Sequence, residues 1–88
     1  MYLIIGNIKS TNILKYVNMD EKELRKRIGD NLRVLRAKSR LSQEGLAEKA
    51  QISPKYLTKI ENEQVNPSIL VLFKLATALE VTVNDIAY

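Results

Sequence analysis

The fold is decided by the stretch SQEGLAEKAQISPKYLTKIEN, residues 42–62, which predicts two short helices joined by a tight turn. Ser42 and Ser53 are good N-cap residues, because a serine hydroxyl accepts a hydrogen bond from a free backbone N–H of the first turn. Pro54 suits the first helical position, where its missing N–H costs no hydrogen bond. Helices joined so closely must cross steeply, and the small Ala47 suits the point where the two backbones approach.

The second of these helices has two unlike faces. Leu57 and Ile60 are apolar and three residues apart, so they predict the face that turns towards the core. The outward face carries a proline and four polar residues: Pro54, Lys55, Thr58, Lys59 and Asn62. Lysine can donate hydrogen bonds to guanine or to phosphate, so this face indicates an anionic partner. A solvated surface would explain either lysine alone, but it explains the whole face less well.

The residues on either side of this stretch also predict helices. A capping aspartate, serine or threonine begins each one: Asp20, Ser68 and Thr82. Glu23 and Asp85 each follow a cap by three residues, which is the spacing of a capping box. In the first helix, apolar residues recur every three or four positions through about Lys38: Leu24, Ile28, Leu32 and Leu35. With the fourth helix ending at Leu79 and a short fifth helix after Thr82, the sequence predicts an all-α fold of five helices.

Residues 1–19 differ from the rest and predict a separate N-terminal arm, so we divide the chain into this arm and a domain at 20–88. Residues 2–5 and 8–11 are prone to form strands, and Gly6 and Asn7 between them suit the turn of a β-hairpin. An extended tail is the alternative, since a lone hairpin is only marginally stable in water.

The composition excludes several classes of function. The 88 residues include no cysteine and no histidine, which excludes disulfides, thiolate zinc sites and histidine acid–base chemistry. Residues 1–40 carry ten Lys or Arg against four Asp or Glu, whereas residues 41–88 carry four against six. The basic first part favours nucleic acid as the partner, with a merely basic surface as the alternative. We expect no metal, no cofactor and no enzymatic activity, because no catalytic constellation is present.

Residues 41–81 and the helix before them resemble the Cro/XRE family of helix-turn-helix DNA-binding regulators, over roughly residues 24–87. The resemblance implies a lambda-repressor-like fold in which the first helix of the motif braces on the DNA backbone and the helix at 53–62 lies in the major groove. It implies base contacts by Lys55 and Lys59, with Ser53 and Tyr56 on phosphate. The full set implied to contact DNA is Ser42, Gln43, Ser53, Pro54, Lys55, Tyr56, Thr58, Lys59 and Asn62.

The resemblance also implies a structural ion pair between Arg36 and Glu61, which would fix the recognition helix against the first helix. The family usually has glycine where this chain has Arg40, Gln51 and Glu63. Glycine adopts the left-handed backbone most easily, so we expect some strain at these helix ends.

The fourth helix is more apolar than one buried face requires. We expect Ile69, Leu72, Ala76 and Leu79 to fill the core. That leaves Leu70 and Val71, with Phe73 or Leu75, for a partner surface. We therefore predict a homodimer through the fourth and fifth helices, with Leu70 and Val71 in the interface, or through the N-terminal arm.

Together these features predict a cytoplasmic, sequence-specific regulator, most simply a repressor, bound to double-stranded DNA. The alternative is a protein-interaction module, such as an antitoxin or a bridging factor, that holds a protein partner with its last two helices and the arm. No apolar run approaches the length of a membrane span, so no contact with a membrane is expected.

Overall fold

The computed structural model describes residues 20–88, and these form five helices without a strand. The helices are α1 (Glu21–Lys38), α2 (Gln43–Ala50), α3 (Pro54–Glu61), α4 (Ile69–Leu79) and α5 (Val83–Ala87). The all-α fold class and the five predicted helices are thereby confirmed. The hairpin prediction for the N-terminal arm lies outside the described residues.

Each helix begins at its predicted cap. The side-chain oxygens of Asp20, Ser42, Ser53 and Ser68 accept hydrogen bonds from the backbone N–H three residues later, over 2.8–3.2 Å. At Thr82 the capping box is complete: its hydroxyl accepts from the N–H of Asp85, whose carboxylate accepts from the N–H of Thr82. Because these caps satisfy orphan donors of the first turn, each helix has a defined start.

The core lies where α1 packs on α3 and α5, α2 packs on α3 and α4, and α4 packs on α5. Thirteen apolar side chains are buried in it: Ile28, Leu32, Leu46, Ala47, Ala50, Leu57, Ile60, Leu72, Leu75, Ala76, Ala78, Leu79 and Ile86. α3 therefore rests with its apolar face on α1 and α2 and keeps its other side at the surface.

The expectation that Ile69 fills the core was wrong, because 61 % of this residue is exposed. Ile69 is the first residue of α4, so it lies at the very end of the buried face that Leu72, Leu75 and Leu79 form. Leu75, which could have been left over, is fully buried instead. Val71 packs partly against the core, whereas Leu70 is exposed.

Four residues other than glycine have a left-handed backbone: Arg40, Gln51, Glu63 and Glu80, with φ between 58° and 64°. The first three are the positions where the sequence departs from the family's glycine, and the fourth ends α4. Such backbone costs a residue with a side chain on the order of 1 kcal/mol each, but it turns the chain sharply from one helix to the next. Among residues 20–88, no helix is both long and apolar enough to cross a membrane.

Candidate nucleic-acid interface

The turn between α2 and α3 sets the direction of α3. At the end of α2, the N–H of Gln51 donates to the carbonyl of Glu48 over 3.1 Å, and that of Ile52 donates to Ala47 over 3.0 Å. The left-handed Gln51, with φ 61°, bends the chain here, and Ser53 caps the next helix two residues later. Only two residues thus separate the end of α2 from the cap of α3, so the two axes cannot lie parallel.

α3 presents a basic ridge to solvent. Lys55 and Lys59 are exposed, as are Pro54 and Asn62, while Thr58 is half-buried between the two lysines. The first turn of α3 holds no acidic residue. Because the free N–H groups of a helix N-terminus also favour negative charge, the start of this ridge is attractive to phosphate. The geometry therefore suits an anionic, groove-shaped partner.

The C-terminal end of α3 is held by an ion pair between a partly buried arginine and a buried glutamate. Arg36 of α1 donates from Nε to Oε2 of Glu61 over 2.8 Å and from Nη2 to Oε1 over 3.0 Å. Glu61 is only 1 % exposed, and the hydrogen bond to its carboxylate raises the pKa of Arg36 above the ordinary arginine value. Arg36 also donates to the carbonyl of Leu41 over 3.0 Å, so one guanidinium joins α1, α3 and the loop before α2.

Two further residues of α1 contact the same end of α3. The Arg33 guanidinium donates to the backbone carbonyl of Glu61 and pairs with Asp30, and it lies 3.6 Å from the carboxylate of Glu63. Gly29 passes so close that a Cβ there would lie 2.9 Å from the Glu61 carbonyl oxygen. Neither role was predicted from the sequence, although Gly29, Arg33 and Arg36 share the helical spacing of one face.

Gln43 differs most from its expected role as a simple DNA contact. Its Nε2 donates to Oε1 of Glu61 over 2.9 Å, and its Oε1 accepts from the hydroxyl of Thr58 over 3.0 Å. The half-buried amide therefore ties the start of α2 to both the middle and the end of α3. Gln43 lies beside Thr58 and borders the basic ridge of α3, but its amide makes two hydrogen bonds within the protein.

The remaining predicted residues lie on or away from this ridge as follows. Ser42 and Ser53 are exposed caps whose hydroxyls accept backbone N–H groups, and Tyr56 is half-buried against the core. Leu70 and Val71 belong to α4, which packs on α2 and α5. The predicted dimer contacts therefore lie on a different helix from the basic ridge of α3.

Comparisons with known proteins agree with this geometry. The model of a helix-turn-helix family, HTH_3, matches residues 32–86. The immunity repressor protein of Bacillus phage phi105 is 39 % identical over 59 residues, which are 67 % of this chain and 41 % of that protein. This chain thus spans less than half the length of that relative.

Solved structures give the same picture. The restriction-modification controller protein C.AhdI from Aeromonas hydrophila superposes with a TM-score of 0.69 at 35 % identity, over 70 % of this chain and 94 % of that one. The clp gene regulator ClgR from Corynebacterium glutamicum superposes with a TM-score of 0.70 at 33 % identity, over 76 % and 71 % of the two chains.

Proposed function

Because the chain belongs to the helix-turn-helix family, whose members are DNA-binding transcription regulators, we propose that it is a repressor that reads an operator in double-stranded DNA with α3. The observation that carries this proposal is the exposed ridge of Lys55 and Lys59 on a helix whose other face is buried. Repression would follow sterically, because a protein bound across an operator blocks access to the DNA. The similarity to a phage immunity repressor supports the direction of regulation.

The residues of the ridge take different roles in this proposal. Lys55 and Lys59 reach base edges in the major groove, where guanine offers O6 and N7 as acceptors. Ser42 and Ser53 lie at the capped starts of α2 and α3, where backbone N–H groups and hydroxyls suit phosphate. Pro54, Tyr56 and Asn62 make the remaining contacts along the DNA strand. Phosphate contacts then supply salt-dependent affinity, and the base contacts supply sequence choice.

We also propose that the repressor acts as a homodimer through α4. Ile69, Leu70 and Phe73 are 56–61 % exposed on this helix, and exposed apolar residues that cluster favour a partner surface. Leu70 contributes more than Val71, because Val71 already packs partly on the core. A second copy of the chain fits the proposal best, because a two-fold symmetric dimer places two recognition helices on a palindromic operator. A different protein on this face is the alternative, and the mass of the free protein in solution separates the two.

The proposed function is tested by selecting bound fragments from random double-stranded DNA with the full chain. A palindromic consensus is expected. On that consensus, Lys55→Ala or Lys59→Ala should lose about 1–3 kcal/mol of discrimination against random DNA if the lysine contacts a base. Lys22→Ala is the matched control, because Lys22 is an exposed lysine in the first turn of α1. The residues of α1 that contact α3, Gly29, Arg33 and Arg36, lie further along that helix.

Three results would count against this assignment or change it. Recovery of no common sequence would reject operator reading altogether. Equal discrimination by wild type, Lys55→Ala and Lys59→Ala would reject the role of the two lysines. If a lysine variant loses affinity equally for all sequences and depends less on salt, that lysine contacts a phosphate and not a base.

A further inference from the structure

A chain of hydrogen bonds runs from the ion pair of Arg36 and Glu61 to the surface of α3. Its links are Arg36 to Glu61, Gln43 Nε2 to Glu61 Oε1 over 2.9 Å, and Thr58 Oγ1 to Gln43 Oε1 over 3.0 Å. It begins at a carboxylate that is 1 % exposed and ends at a hydroxyl on the basic ridge. The chain therefore connects the interior of the domain with the surface proposed to meet DNA.

The direction of each link is fixed by chemistry. A carboxylate that pairs with a guanidinium has only acceptor oxygens, so Gln43 must turn its NH₂ group towards Glu61. Its carbonyl oxygen then faces Thr58. The opposite orientation of the amide would bring its carbonyl oxygen against the buried carboxylate, with two acceptors facing each other and no hydrogen between them. Such an unsatisfied arrangement is costly inside a protein.

The hydroxyl of Thr58 is consequently committed as a donor. It has one hydrogen, and two protein oxygens lie 3.0 Å from it: Oε1 of Gln43 and the backbone carbonyl of Pro54. Whichever of the two receives the hydrogen, none is left for a partner outside the protein. A hydroxyl also has two acceptor lone pairs, so Thr58 can still accept a hydrogen bond.

We infer that Thr58 is an acceptor-only reader in the major groove, because its one hydrogen is held within the protein by Gln43, which Glu61 orients, or by the Pro54 carbonyl. This inference rests on the proposed function and refines it. In the major groove, adenine N6 and cytosine N4 are donors, whereas guanine and thymine offer acceptors at the corresponding positions. At the base opposite Thr58, the operator should therefore carry an amino base, adenine or cytosine, in preference to guanine or thymine.

The threonine methyl group offers a rival source of preference, because it could contact the methyl of thymine. Two substitutions of the full chain separate the two sources. Thr58→Val keeps the shape and an apolar methyl but removes the hydroxyl, whereas Thr58→Ser keeps the hydroxyl and removes the methyl. Each variant, with wild type, is used to select bound fragments from the same random DNA, and binding to single-base variants of the wild-type consensus is then measured.

We expect wild type to prefer an amino base at one position by about 5- to 10-fold, which is the scale of one net hydrogen bond. Thr58→Ser should keep that preference, and Thr58→Val should lose it at that position alone. A consensus without an amino-base preference that depends on Thr58 overturns the inference while leaving operator reading intact. So does a preference for thymine that Thr58→Val retains. If wild type selects no sequence at all, the proposed function and this inference both fail.

Glu61→Gln tests the role of the buried carboxylate. An amide at position 61 can offer a donor to Gln43, so the Gln43 amide can rotate and turn its NH₂ group towards Thr58. That group would occupy one of the two lone pairs of the hydroxyl, while the hydrogen stays on the Pro54 carbonyl, so one lone pair remains for DNA and the amino-base preference should persist. A folded Glu61→Gln protein that loses the preference contradicts acceptor-only reading. If circular dichroism shows that Glu61→Gln does not fold, Gln43→Leu takes its place, because a leucine side chain cannot form a hydrogen bond. Gln43→Leu should leave Thr58 bonded to the Pro54 carbonyl and retain the preference. Loss of the preference in Gln43→Leu would contradict acceptor-only reading.

Discussion

Gly29 and Gly45 make a matched pair for testing how closely α1 must approach α3. Both lie within helices with ordinary right-handed backbone, so alanine at either position should gain up to about 1 kcal/mol from its higher helix propensity. A Cβ at Gly29 would lie 2.9 Å and 3.2 Å from the backbone carbonyl oxygens of Glu61 and Ile60. At Gly45 the nearest atom is the hydroxyl oxygen of the exposed Ser42, at 3.2 Å.

The expected difference follows from what has to move. The carbonyl oxygens near Gly29 belong to the last turn of α3, so they move only if α3 moves. Added volume at such a site costs about 1–3 kcal/mol, which equals or exceeds the gain in propensity. Gly29→Ala should therefore be neutral to about 2 kcal/mol destabilising, and Gly45→Ala should stabilise by up to about 1 kcal/mol.

Urea denaturation followed by circular dichroism measures both changes in the free energy of unfolding. Subtracting one from the other removes the shared propensity term and leaves the cost of the contact, about 1–3 kcal/mol. For a domain of this size, 1 kcal/mol also corresponds to a shift of roughly 4–8 °C in the melting temperature. Equal stabilisation by the two substitutions would refute the claim that the α3 backbone leaves no room for a Cβ at Gly29.

Three other perturbations test the remaining features of the fold. Arg36→Met should cost about 3 kcal/mol or more in thermal or urea unfolding, because it leaves the buried carboxylate of Glu61 without its guanidinium; a loss as small as that of an exposed ion pair would contradict burial. Gln51→Gly should stabilise by up to about 1 kcal/mol in the same assay, because it relieves the left-handed backbone that ends α2; destabilisation would contradict that strain. The backbone N–H of Thr82 holds the pKa of Asp85 below its ordinary value of 3.8, so the ionised carboxylate stabilises the fold above that pH and the contribution is lost as the pH falls through the lower, folded value. The melting temperature of Asp85→Asn should therefore fall less than that of wild type as the pH is lowered into the acid range. The same pH dependence of the melting temperature in both proteins would contradict a stabilising role for the Asp85 carboxylate in the capping box.

Much of the fold was readable because its signals are local. Caps at Asp20, Ser42, Ser53, Ser68 and Thr82 begin the helices where the sequence predicted them. A capping side chain and the N–H that it accepts lie three residues apart, so no knowledge of the rest of the fold is needed to find them. The outward face of α3 was readable for the same reason, since two apolar residues on a short helix define its buried side.

The missed features all depend on contacts between distant parts of the chain. The role of Gly29 was missed, because nothing near it in the sequence indicates that the end of α3 lies against it. Gln43 was assigned to DNA alone, since its bonds to Glu61 and Thr58 arise only after α2 and α3 have crossed. Ile69 was placed in the core by periodicity, which fixes the face of a helix but not how far the neighbouring helices extend along it.

Because α3 is short, one of its faces must hold it against the domain while the other remains at the surface. A helix of eight residues is not stable by itself in water, so the orientation of α3 must come from contacts with the rest of the domain. Apolar contacts of Leu57 and Ile60 hold it against the core but specify direction weakly, because hydrophobic attraction is non-directional. The bonds of Glu61 to Arg36 and Gln43 add direction, since each requires a particular pairing of donor and acceptor. Substitutions at Lys55 and Lys59 touch none of these contacts, so the sequence preference of the ridge can change while the frame that holds it stays the same.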